Sequence, residues 1–181
     1  MRCVTISDIA NREQTALPDG AAPDPLFAAL RSRPQVARTL ARHLEEVASN
    51  GTVAVRTKEL CALMVAWLCA CDYCTCAHEE IARRIGVDRA TLDELGNFAQ
   101  SGRFAPAERA ALAAAVALTR EPRGLPPGVR AELERYYDEG EIVEIVAAIG
   151  LYNYLARASN ALGVGPTPAS GPPRAPAPAP L

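Results

Sequence analysis

The chain has 181 residues, 49% of them apolar, and 19 basic against 21 acidic side chains leave a formal charge of −2. That length predicts one core rather than two. So small and scattered a charge imbalance excludes nucleic acid or an anionic membrane as expected partners. Ala and Leu are abundant, aromatics make up 5%, and runs of strand-preferring residues are scarce, so the expected fold class is all-α. The N-terminal stretch MRCVTISDIANREQ has no apolar segment behind a basic start, so no secretory signal is read there and a cytoplasmic location is expected. The longest apolar run, Leu60 to Cys71, covers twelve residues, short of the roughly 20 needed to cross a bilayer.

In chain order, residues 1–25 carry Pro18, Gly20, Pro23 and Pro25 among polar residues and read as a loose arm. Residues 26–164 form the expected helical domain. Residues 165–181 are a Pro/Ala tract, expected to be disordered because Pro cannot continue a helix and little there can be buried. Within the domain, breakers at Asn50 and Gly51, Gly86, Gly102 with Pro106, Pro122 through Gly128, and Gly140 delimit six or seven helices. These are Pro34 to Ala48, Arg56 to Ala70, Asp72 to Ile85, Arg89 to Gln100, Pro106 to Thr119, Pro127 to Asp138 and Glu141 to Leu162. In the last, Ile142, Ile145, Val146, Ile149 and Tyr152 follow helical apolar spacing. Asn153, Arg157 and Asn160 make a separate polar stripe, open to a solvent-facing or a functional reading. No phosphate loop, internal repeat or alternating strand pattern is present.

Five of the six cysteines lie between Cys61 and Cys76, and the core of that cluster is Cys71-Asp-Tyr-Cys74 followed by His78. Cysteines at this spacing can close a small disulfide ring. With Asp72 as N-cap, Cys74 would lie in the first turn of a helix, where free amides and the helix dipole favour a thiolate. His78 stands one turn further on nearly the same face, where it can accept the thiol proton. Such a thiolate attacks a peroxide and becomes a sulfenic acid, and Cys71 condenses with it to a disulfide. Regeneration then requires thiol exchange with an external dithiol. The expected substrate is therefore a small-molecule peroxide.

Glu59, Cys71, Cys74 and His78 stand in an E-x11-C-x2-C-x3-H spacing that resembles the alkylhydroperoxidase D and carboxymuconolactone decarboxylase family. The closing segment EIVEIVAAIGLYNYLARASNALGV, with Asn153 and Asn160, is similar to that family's last helix, so the likeness spans about residues 26–164. The resemblance implies an alkylhydroperoxidase D-like helical bundle with no cofactor, Cys74 as peroxide-reactive thiol and Cys71 as resolving thiol. It further implies Glu59 and His78 as proton relay, a lipoyl- or thioredoxin-like reductant, and a homo-oligomer built of trimers or their multiples. One departure is Tyr73, where the best-known members carry a second histidine. Glu59 poses a distance problem, because twelve residues of helix would hold it about 18 Å from Cys71. A bend or a neighbouring helix has to bridge that gap.

Other readings stand beside this one. Cys61, Cys69 and Cys76 read as core packing and Cys3 as incidental. Five soft ligands fall between Cys69 and His78, but no second cluster completes a structural zinc site, so no metal is expected. His43 reads as a surface or partly buried residue, and Tyr152 and Tyr154 as core or interface. The alternatives are a lyase of the decarboxylase branch, which does not rely on a cysteine pair, and a non-enzymatic metal-binding or structural helical protein.

Overall fold

The computed structural model describes residues 24–49, 51–121 and 123–165. The expectations for the loose arm, the Pro/Ala tail and Cys3 fall almost wholly outside those residues. All regular structure among the described residues is helical. The helices are α1 (Pro25–Ala29), α2 (Pro34–Leu44), α3 (Val55–Leu68), α4 (Asp72–Arg84), α5 (Arg89–Asp93), α6 (Pro106–Arg120), α7 (Pro127–Glu134) and α8 (Glu139–Ala161). Short 3₁₀ turns at Leu30–Ser32 and Leu95–Asn97 and one π turn at Glu45–Ser49 complete them.

The centre is α3. Every residue from Thr57 to Ala66 is buried, as expected of a helix that is apolar nearly all round and must be covered on all sides. It packs against α4, α6 and α8. Leu60, Leu63, Met64 and Val65 of α3 share one core cluster with Leu112, Leu133, Ile145 and Ile149. Full burial of each such side chain stabilises the fold by about 1.5–3 kcal/mol.

Several boundaries differ from the sequence expectation, and three of them have a visible local cause. Pro25, assigned to the loose arm, opens α1, and Asp24 caps it by accepting from the amides of Leu26 and Phe27 at 2.9 and 3.1 Å. The helix expected over Arg89 to Gln100 stops at Asp93. From its last turn onward Leu92, Leu95 and Phe98 are all buried at a spacing of three, which is the period of the tighter 3₁₀ turn. The helix expected over Pro127 to Asp138 ends at Glu134, because Asp138 is instead the N-cap of α8. Its side chain accepts from the Glu141 amide at 2.8 Å, and Glu141 accepts from the Asp138 amide at 3.0 Å. This reciprocal capping box carries Gly140 inside the first turn of α8.

Candidate active site

The junction of α3 and α4 builds the site. After Leu68 the chain takes a Schellman turn, in which the Ala70 amide donates to the Trp67 carbonyl at 3.0 Å and the Cys71 amide to the Ala66 carbonyl at 2.9 Å. Ala70 has a left-handed φ of 49°, a conformation usually given to Gly. Cys71 therefore ends one helix and caps the next, its Sγ accepting from the Cys74 amide at 3.3 Å. The cap expected at Asp72 is one residue early in the chain: Asp72 is the first helical residue of α4. Cys74 still falls in the first turn.

Cys71 and Cys74 are joined as a disulfide, with Cα atoms 5.3 Å apart. Both are buried, together with Ala66 and Ala156, and Cys69 and Tyr73 pack against them. Because the Schellman turn reverses the chain, α4 runs back along α3. That reversal answers the distance problem of Glu59. The carboxylate meets His78, with Oε2 2.7 Å from Nδ1, and both side chains are only 5% exposed. A carboxylate only accepts, so Nδ1 carries the shared hydrogen. The contact is thus from helix to helix, on the imidazole one turn beyond Cys74.

Tyr152 of α8 forms the wall behind His78, its ring 5.2 Å away and edge-on at 81°. Its hydroxyl is buried without a hydrogen-bond partner among the described residues, and its pKa lies well above the ordinary value because of burial and then the electrostatic influence of Glu59 and Cys61. Sequence spacing placed Tyr152 only in the core or at an interface. Tyr73, at the position of the departure, donates to Asp24 Oδ2 at 2.5 Å and so ties the start of α1 to α4.

The remaining cysteines separate into two kinds. Cys61 is fully buried, and burial with the charge of Glu108 pushes its thiol up to about 12. It is a packing residue. Cys69 and Cys76 are only half-buried. The polar stripe of α8 turns toward Cys69: Asn160 Nδ2 donates to the Cys69 carbonyl at 2.8 Å and Arg157 Nη1 approaches the Cys69 Sγ at 3.6 Å. Burial raises the Cys69 thiol pKa against the opposing pull of Arg157. The i, i+4, i+7 spacing of Asn153, Arg157 and Asn160 was the available signal, but which way the stripe faced was not in it. Among the described residues no group of three or more His, Cys, Asp and Glu side chains could hold a metal ion, and no helix is long and apolar enough to cross a membrane.

A helical bundle whose paired cysteines cap a helix, backed by a buried carboxylate–imidazole pair, defines a dithiol protein of the alkylhydroperoxidase D-like fold. Residues 34–117 match the model of the carboxymuconolactone decarboxylase family. The uncharacterized protein YnjA of Escherichia coli K12 is 30% identical over 115 residues, which are 63% of this chain and 61% of YnjA. The chain thus spans about three-fifths of that relative's length. The debrominase Bmp8, in a cysteine variant bound to 2,3,4-tribromopyrrole, superposes with a TM-score of 0.74 at 26% identity, covering 83% of this chain and 80% of Bmp8. An uncharacterized peroxidase-related protein with an alkylhydroperoxidase AhpD core, from Ralstonia eutropha JMP134, shares the fold at TM-score 0.71 and 19% identity, with 80% and 77% coverage.

Proposed function

We propose that the protein is a thiol-dependent peroxidase that reduces organic hydroperoxides through Cys71 and Cys74, with an external dithiol as electron donor. The observation that carries this reading is the cysteine pair capping α4 one turn before a buried His78–Glu59 pair. In the reduced protein, Cys74 sits at the third position of α4, where free amides stabilise a thiolate. With Nδ1 donating to Glu59, Nε2 of His78 is the atom that takes the thiol proton. The thiolate attacks the distal peroxide oxygen, the O–O bond breaks, and the leaving alkoxide takes that proton to become an alcohol. Cys74 is left as a sulfenic acid. Cys71 then attacks the Cys74 sulfur, expels water and forms the disulfide. A lipoyl- or thioredoxin-like dithiol restores both thiols by exchange, which suits the reducing cytoplasm.

The test is hydroperoxide consumption by purified protein with dihydrolipoamide. Turnover is expected to vanish in Cys74→Ser and in Cys71→Ser, with sulfenic acid trapped only in Cys71→Ser. Turnover in either variant equal to wild type sinks the two-cysteine cycle. Assembly as a homo-oligomer belongs to the same proposal. Val36 on α2 and Val143, Val146 and Tyr154 on α8 are large apolar side chains left exposed, and light scattering in solution reads the state directly.

One observation favours a second reading, the likeness to the debrominase Bmp8. The same dithiol can supply two electrons to a bromoarene. One thiolate takes the bromine, the ring carbon takes a proton, and closure of the disulfide releases bromide. Bromide release from 2,3,4-tribromopyrrole, with no consumption of cumene hydroperoxide, would move the reading to this chemistry.

A further inference from the structure

Beside the cysteine pair lies a cavity of about 350 Å³, lined by Trp67, Leu68, Cys69, Thr119, Arg120 and Arg157. The guanidiniums of Arg120 and Arg157 both line this one small cavity. The arginines of the fold divide by partner, and Arg157 falls with Arg38 and Arg109, whose hydrogen bonds go to neutral acceptors. Arg56, Arg83, Arg84, Arg89, Arg103, Arg130 and Arg135 all reach carboxylates. Arg157 meets only neutral acceptors: the Asn153 carbonyl at 3.3 Å, the Asn153 Oδ1 and the Cys69 sulfur. Asn153 is itself fixed, its Nδ2 donating to Thr119 Oγ1 and to the Ile149 carbonyl, both at 3.0 Å. The guanidinium is therefore held in place with its charge unneutralised by any carboxylate among the described residues.

An oriented, uncompensated guanidinium fork matches a carboxylate, and its bonds to an oxyanion are about twice as strong as neutral ones. Trp67 and Leu68 supply apolar wall for a chain attached to that carboxylate, and the volume lies within the small-ligand range of roughly 300–1,000 Å³. Cys69 is the partition between cavity and redox pair, since it lines the first and packs against Cys71 and Cys74.

We propose that this cavity binds a carboxylate carried on a short apolar chain, held by Arg157, and so seats carboxylated reactants next to the Cys71–Cys74 disulfide. The identity of those reactants rests on the peroxidase reading; the binding does not. Both the peroxide and the dithiol can carry such a group.

Trp67 is the chain's single tryptophan and a wall of the cavity, so its fluorescence reports occupancy without any turnover. Titration of the full chain with octanoate is expected to give a saturable change, with octanamide at least tenfold weaker. In Arg157→Gln the octanoate affinity is expected to fall about tenfold or more, while Arg157→Lys, which keeps the charge, stays between the two. Equal response to acid and amide, an unchanged Arg157→Gln, or saturation by inorganic phosphate at the same concentrations overturns the site. Kinetics then assign the source. A kcat/KM preference for a hydroperoxy fatty acid over its methyl ester places the carboxylate on the peroxide, and one for dihydrolipoate over dihydrolipoamide places it on the reductant. Arg157→Gln should erase whichever preference exists. Turnover with no preference in either arm overturns the seating of reactants, whereas octanoate binding without any turnover retires the peroxidase reading and leaves the site.

Discussion

Lys58 and Glu59 are consecutive on α3, both almost wholly buried, and each finds an opposite charge on a different helix. Lys58 Nζ lies 2.8 Å from Glu144 Oε1 on α8. Glu144 also accepts from the amides of Thr52 and Val53 at 3.0 and 3.3 Å, pinning the loop that leads into α3. Gly51, with φ 98°, is part of that loop, and a Cβ there would fall on the Glu144 carboxylate. Glu59 faces the other way, to His78, where the imidazole keeps a second nitrogen for exchange one turn from Cys74. One pair spends its donors and acceptors on closing the fold. The other fixes an imidazole one turn from Cys74, the place the proposed cycle gives to proton transfer, so burial and charge alone do not tell the two pairs apart; the neighbours of the second partner do.

That contrast can be broken by mutation. Lys58→Ala strands Glu144 and is expected to cost about 3 kcal/mol of stability, read from the urea midpoint, while kcat of the remaining folded protein stays at wild type. A comparable loss of kcat would mean that the Lys58 pair also serves the chemistry. Glu59→Gln is expected to do the reverse. Hydroperoxide kcat/KM should drop about 100-fold, the low end for a lost proton relay, with little movement of the midpoint. If stability falls and turnover holds, Glu59 is only a structural partner of His78.

Acid sharpens the same comparison. Burial works to raise the Glu144 pKa, but the hydrogen bond from Lys58 and those from Thr52 and Val53 outweigh it and hold it below its ordinary 4.5. A carboxyl with a lowered folded pKa contributes stability that is complete above the unfolded value and is lost as pH falls through the folded one. Wild type should therefore lose stability below about pH 4.5 more steeply than Glu144→Gln. Parallel curves would show that this carboxylate does not drive acid unfolding. The smallest effect is expected at Ala70. Replacing this left-handed residue by Gly removes backbone strain and should raise stability by about 0.5–1 kcal/mol, a few degrees in thermal unfolding, with the cysteine chemistry unchanged.

Much of the site was legible because it is local. Cys71, Cys74 and His78 lie within two turns of one helix, and an i, i+4 spacing sets a face whatever surrounds it. The cap was misassigned to Asp72 because a free carboxylate is the commoner N-cap, and only the Schellman turn at Ala70 shows that Cys71 already occupies that place. Tyr152 lies in the core, in line with its spacing, but an aromatic at core spacing carries no mark of what it covers. The stripe of Asn153, Arg157 and Asn160 was visible as a stripe, but its facing depends on where α8 crosses the end of α3.

The all-α class, the interior helix breakers and the thiol–imidazole spacing follow from local rules, since propensity, capping and helical periodicity act over a few residues. That Glu59 reaches His78 and that Arg157 stands at Cys69 follows from the packing of the helices. Those partners are 19 and 88 residues apart in the chain, and their approach follows from how α3, α4 and α8 pack around a shared core, which no local spacing encodes.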